Sequence, residues 1–309
     1  MTSALAKHAH YFADFQSLVH GRGACAPSWL QSLREDAWVK FNATGFPTSR
    51  RGNERWKYTN VGPIAKVNFE VTSQPPAVDG LKALVPDYKI DGSTVYDLVF
   101  VDGHYSPELS SPSHDSNGAI ASSLISATND SNSVLESQVG HYACLDEDGF
   151  VALNTAFLND GAYVHVVDGY PESLVVRLTY LTTNGVTSKV THPRTLIVSG
   201  RNTDVTVVEC YTGPQETSYL TNAVTEISVG EGANVGHYRL LLEGNKAFHV
   251  GVSRVSQKKD SSFNSASFAL GTALARNDME VLLDDSGAYC ELNGLYLTAD
   301  NQHIDNLIS

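Results

Sequence analysis

The chain is short of positive charge: its 309 residues hold 21 Lys and Arg against 34 Asp and Glu, a formal net charge of −13. Such an excess of carboxylate repels phosphate backbones and anionic lipid, so the expectation is no nucleic-acid partner and no membrane partner. Long apolar runs are also missing. "MTSALAKHAHYFADFQSLVH" at the amino terminus holds nothing long enough for the apolar core of a secretory signal, and no window approaches a membrane span. The reading is an intracellular, cytoplasmic protein. Cysteine is scarce, and Cys25, Cys144, Cys210 and Cys290 lie far apart with no C-x-x-C. That spacing supports neither a disulfide framework nor a local zinc or iron–sulfur motif, and the four read as buried thiols. No G-x-S-x-G elbow and no H-E-x-x-H occurs, so no self-contained catalytic constellation is legible. The reading is no catalytic residue and no metal site.

What is present is enough apolar residue, 42%, to fill a core. Phe12, Phe15 and Val19, then Leu30, Leu33, Trp38 and Phe41, recur with helical spacing, and Gly45 ends the second stripe. Pro47 biases Phe46 towards an extended backbone, so "GFPTSRRGNERWKYT" (45 to 59) reads as an arm that starts where the helix stops. Trp56 and Tyr58 bring apolar area to it, while Arg50, Arg51, Arg55 and Lys57 can stack on rings or pair with carboxylates; the arm suits pinning a helical domain onto its neighbour. Residues 1–70 form the helical amino-terminal domain, 71–95 a proline-bearing linker and 96–309 the β core in this reading. "DLVFVDGHY" from 97 is a strand and turn, and "SSPSHDSNG" (110 to 118) a mobile loop.

After about residue 150 short runs of β-branched and aromatic residues alternate with Gly, Asn and Asp. Val176, Val205, Val235, Phe263 and Cys290 fall in equivalent slots, 29, 30, 28 and 27 residues apart. A strand-built repeat of that size predicts a parallel β-helix whose coils hide a common interior, with a β-sandwich as the competing architecture. "GEGANVG" (230 to 236) is followed by strand-like sequence and reads as a turn rather than a phosphate loop. Asp284, Asp285, Asp300 and Asp305 read as solvated turn residues, and His165, His237, His249 and His303 as satisfied core or surface histidines. Cys290 and His303 are conceivable cluster ligands, though iron–sulfur sites ordinarily use several convergent thiolates.

"GFPT" followed by "ERWKYT", "ALNTAFLNDGAYVHV", "HPRTLIV", "TNAVTEISVGEGANVGHYRL", "ARNDMEVLLDDSGAYCELNGLYL" and "QHIDN" stand in order along nearly the whole chain. In these motifs the sequence closely resembles the SufB/SufD family of the SUF iron–sulfur assembly system, and the arm resembles its SufD branch. The resemblance implies a helical amino-terminal domain, a right-handed parallel β-helix and a carboxy-terminal helical domain. It implies a non-catalytic scaffold subunit that joins a SufB-like paralogue and a SufC-like ATPase in the cytosol or a plastid stroma. It also implies no stably bound cofactor, with a transient iron–sulfur cluster on the assembled complex. Family members continue past "QHIDN" with further coils, a histidine proposed as a cluster ligand, and the helices that grip the ATPase, whereas this sequence stops at Ser309. The expectation is a fragment or a truncated paralogue lacking the ATPase-binding region, with an uncapped coil whose strand edges favour self-association, which light scattering would test. Two alternatives differ in class: a structural interaction protein, or a β-helix enzyme acting on polysaccharide through acidic turns.

Overall fold

A computed structural model describes residues 9–48, 53–86, 95–114, 118–129, 133–146 and 148–309. Arg50 and Arg51 of the arm, and residues 115–117 of the loop read as mobile, lie outside them. Helix α1 spans Ala9–His20 and α2 Ser28–Thr44, and the chain leaves α2 through Gly45 at φ 63°, where a residue without Cβ is favoured. Of the predicted stripe on α1, Phe15 is buried and Val19 packs against the same cluster, but Phe12 is 41% exposed and Tyr11 takes its place in the core. Short helices follow, α3 (Gly62–Ala65), α4 (Leu124–Asn129), α5 (Ser133–Gln138) and α6 (Gly149–Ala156). Their lengths hide them from a periodicity reading: α6 is buried along its whole length, so it has no polar face to set a period.

Seventeen described strands form two sheets. One runs β17 (His303–Ile308), β15 (Leu274–Leu283), β13 (Phe248–Gln257), β11 (Leu220–Val229), β9 (Arg194–Ser199), β6 (Ala162–Val166), β5 (Ala119–Ser123), β4 (Ser113–His114), with β8 (Lys189–Thr191) also beside β11 and β1 (Glu70–Val71) beside β8. The other runs β16 (Tyr289–Leu297), β14 (Ser262–Leu270), β12 (Asn234–Leu242), β10 (Asp204–Thr212), β7 (Ser173–Leu181), β2 (Val95–Val101), β3 (His104–Tyr105). The chain alternates between the sheets, and from β7 onward every rung pairs in parallel with the next, giving a solenoid of about five turns. The predicted solenoid is therefore present and the sandwich is not. "DLVFVDGHY" is β2, a turn at Asp102 and Gly103 with φ of 50° and 82°, and β3.

Register defines the interior. Leu174, Val205, Val235, Phe263 and Cys290 are consecutive partners in one inward column, of which the first four are buried and Cys290 half-buried. The first member differs from the prediction, because Val176 sits two residues along and pairs with Val207. Both positions face inward, so the alternation on one strand could not separate them. The last turn carries exposed Leu295, Tyr296, Leu297 and Ile308.

The helical layer covers the outer face of the β11-containing sheet. Tyr11, Phe15, Phe41, Trp56, Phe150 and Leu153 share one apolar cluster with Val190, Leu220, Val250 and Leu274 of that face. Within the helical layer α6 meets the end of α2 at Gly149, where an added Cβ would lie 1.8 Å from the Gly45 carbonyl oxygen. Gly149→Ala is expected to destabilise the fold by at least ~1–3 kcal/mol, because backbone rather than a mobile side chain must shift; a denaturant midpoint equal to that of the parent would contradict it.

Candidate functional site

The motifs converge on the boundary between helices and solenoid. Alternation on β9 and β11 sends Arg194 and Glu226 outward, where both are fully buried beneath α6. Arg194 Nε donates to Glu226 Oε1 at 3.1 Å, and its Nη1 reaches Asn154 Oδ1 and Thr155 Oγ1 of α6, each at 3.1 Å. Glu226 also accepts backbone N–H groups of Gly140, Tyr142 and Ala143 at 2.9, 2.8 and 3.0 Å. Asn154 Nδ2 donates to the carbonyls of Pro193 and Asn222 at 2.8 Å each, and Asn222 Nδ2 returns to the Phe150 carbonyl at 2.9 Å. "ALNTAF", "HPRT" and "TNAVTE" thus build one polar clasp in which each buried charge is paired and hydrogen-bonded.

His192 of the same motif stacks on Phe157, centroids 5.1 Å apart, and burial pushes its imidazole down to about 3. Between that value and about 6.5 the unfolded chain binds a proton that the folded one refuses, so this residue's contribution is lost as pH falls through the window. His192→Gln is expected to lose less stability than the parent between pH 6.5 and 4, the difference growing by up to ~1.4 kcal/mol per pH unit. Urea melts at stepped pH with equal slopes for both proteins would contradict this.

The arm forms a second clasp. Trp56 is 2% exposed and stacks on Phe150, centroids 5.4 Å apart, while the Arg276 guanidinium lies over its indole at 4.3 Å. Arg276 Nη2 donates to the Arg55 carbonyl at 2.5 Å and its Nη1 to Asp305, which also accepts from the Thr59 hydroxyl. Arg55 Nη2 bonds both oxygens of Asp278 at 2.9 Å, and Asp278 meets Arg254 Nη1 at 3.0 Å. "ERWKYT" therefore closes onto "ARND" and "HIDN". Two expectations need correcting: Tyr58 is 74% exposed and takes no part in the packing, and Asp305 is a clasp residue of β17 rather than a solvated turn residue. Asp284 and Asp285 do lie between β15 and β16, Asp300 has φ 52°, and "GEGA" is the turn from β11 to β12.

The candidate ligands do not gather. His303 is exposed at the start of β17, Cys290 faces the interior of the other sheet, and His165 is half-buried on β6. His237 and His249 are buried inside the solenoid, where His237 Nε2 lies 3.2 Å from Glu209 and His249 Nδ1 lies 2.8 Å from Glu243. Burial alone would raise Glu209, but the hydrogen bond and charge of His237, with help from Thr195 and Arg239, hold it down to about 2. Among the described residues no group of three or more His, Cys, Asp and Glu is placed to hold a metal ion. Cys25 and Cys144 are exposed rather than buried; burial pushes the buried Cys210 thiol up to about 12. Docking of the arm through Trp56 and Arg55 follows the expectation from its composition, whereas the Arg194–Glu226 clasp and the polar interior were not legible beforehand, because strand alternation shows which way a side chain points and not which turn stacks above it.

Among the described residues no helix is long and apolar enough to cross a membrane. The family model for the SufBD protein N-terminal region matches residues 4–177, and that for the SUF system FeS cluster assembly SufBD core domain matches 180–309. An iron-sulfur cluster assembly SufBD family protein of Synechocystis is 28% identical over 302 residues, covering 89% of this chain and 65% of the relative. The iron-sulfur cluster assembly protein SufD of Escherichia coli is 23% identical, covering 85% and 58%, and that of Bacillus subtilis 25%, covering 68% and 47%. The chain thus spans between about half and two-thirds of the length of these relatives, and with both family models in sequence along it, it belongs to the SufBD family of iron–sulfur cluster assembly proteins.

Proposed function

We propose that the chain serves as a SufD-like, non-catalytic scaffold in iron–sulfur cluster assembly, working with a SufB-like paralogue and a SufC-like ATPase in the cytosol or a plastid stroma. The single observation that carries the reading is the pair of adjacent family models over an uninterrupted solenoid. The nucleotide chemistry belongs to the ATPase partner. A nascent cluster is cargo of the assembled complex, passed on rather than retained by this chain. The SufD assignment is supported by the docked "ERWKYT" arm and by relatives that carry that name. The test is co-purification of the tagged full-length protein from cells of its source. Recovery of a SufB-like and a SufC-like protein is expected; a full-length protein that brings down neither contradicts the proposal.

A further inference from the structure

Five arginines among the described residues are buried, Arg34, Arg194, Arg239, Arg254 and Arg276. Arg194, Arg254 and Arg276 are paired with carboxylates, and Arg34 donates to the carbonyls of Leu158 and Gly23. Arg239, 3% exposed, faces the solenoid interior, and its hydrogen-bonded partners are neutral: Ser253 Oγ at 3.0 Å and Asn277 Oδ1. A guanidinium taken out of water without a bonded counter-charge is a costly arrangement. The carboxylate one rung away, Glu209, is already held by Thr225 at 3.0 Å, by Tyr211 at 3.2 Å and by His237.

Beside Arg239 a cleft opens at the last turn. Its inward column continues through Ser267 and Gly294, and these small residues leave about 140 Å³ between the buried guanidinium and the exposed Tyr296 and Ile308, far above the roughly 10–15 Å³ that one water needs. The lining includes Ser265, Ser267, Asn277 and Asn306 beside the guanidinium, with no Asp or Glu. Arg239 Nε and Ser267 Oγ are buried on this wall without a hydrogen-bond partner. The Asn277 Nδ2 to Asn306 Oδ1 bond, 3.1 Å, fixes the amide that holds the guanidinium in place.

We infer that this cavity is a binding site for a small inorganic oxyanion, with the Arg239 guanidinium as its charge partner and the Ser267 hydroxyl as a second donor. The anion supplies a hydrogen-bonded charge partner that Glu209, held by its own donors, does not, and charge-assisted bonds to the buried guanidinium and hydroxyl favour a compact tetrahedral ligand. This holds independently of the scaffold role, since it needs no partner protein.

Titration of the 309-residue chain with inorganic phosphate, and separately with sulfate, at fixed ionic strength in an isothermal calorimeter tests it. Saturable binding near one anion per chain is expected, weakened more than about tenfold by Arg239→Gln and abolished by Ser267→Val, which removes the hydroxyl and fills the space. Should Arg239→Gln fail to fold, Ser267→Val decides alone. Absence of saturable binding to the parent, or affinity unchanged in Ser267→Val, would overturn the inference.

Discussion

Glu226→Ala is expected to cost about 3–5 kcal/mol. The substitution leaves the fully buried Arg194 guanidinium without a counter-charge, and breaking a buried pair from one side costs that much. It also strands the N–H groups of Gly140, Tyr142 and Ala143, which the carboxylate collects at 2.8 to 3.0 Å. Glu226→Gln should be milder, since one amide oxygen can still accept while the charge is gone. Chemical denaturation of the three proteins measures it. A midpoint for the alanine variant within experimental error of the parent would mean that the clasp contributes nothing.

Trp56→Ala should come next, at about 3–5 kcal/mol. The indole fills the space between Phe150 of α6 and the Arg276 guanidinium, so its loss opens a cavity and removes the cation–π contact together. The arm is anchored twice more, by Arg55 on Asp278 and by Thr59 on Asp305, so it should loosen rather than leave. Limited proteolysis is expected to cut the variant between residues 45 and 60 faster than the parent. Tyr58→Ala is the matched control: the ring is exposed, and its removal should leave the cleavage rate alone. Equal susceptibility of the Trp56 variant and the parent would contradict docking of the arm.

The solenoid was readable because its determinants are local. Val205, Val235 and Phe263 recur at nearly constant spacing, each followed by a two-residue alternation, and stacking in register is the arrangement that buries all three. The spacing failed at Val176, where two inward positions on one strand are equally apolar and the true partner of Val205 is Leu174. Helix α6 was missed for the opposite reason: covered on every side, it carries no amphipathic signature.

The role of the polar motif residues was less accessible. Asn154, Arg194, Asn222 and Glu226 look like ordinary surface residues when read along the chain, and only the folded turns bring them into one network across up to 86 positions of sequence. The arm was half legible. Its aromatic and basic composition indicated docking, yet nothing in the letters distinguished buried Trp56 from exposed Tyr58 two residues on. Turn-like acidity likewise concealed Asp305, whose partner Arg276 lies one rung below on β15.

The central claim is that the family motifs fasten a helical layer to a solenoid that stands by itself, and amide hydrogen exchange in Glu226→Ala and Trp56→Ala addresses it directly. Faster exchange is predicted in α1, α2, α6 and residues 139–143, with β10 to β14 as protected as in the parent. Exchange that accelerates uniformly through the strands, or does not change in the helices, would contradict it.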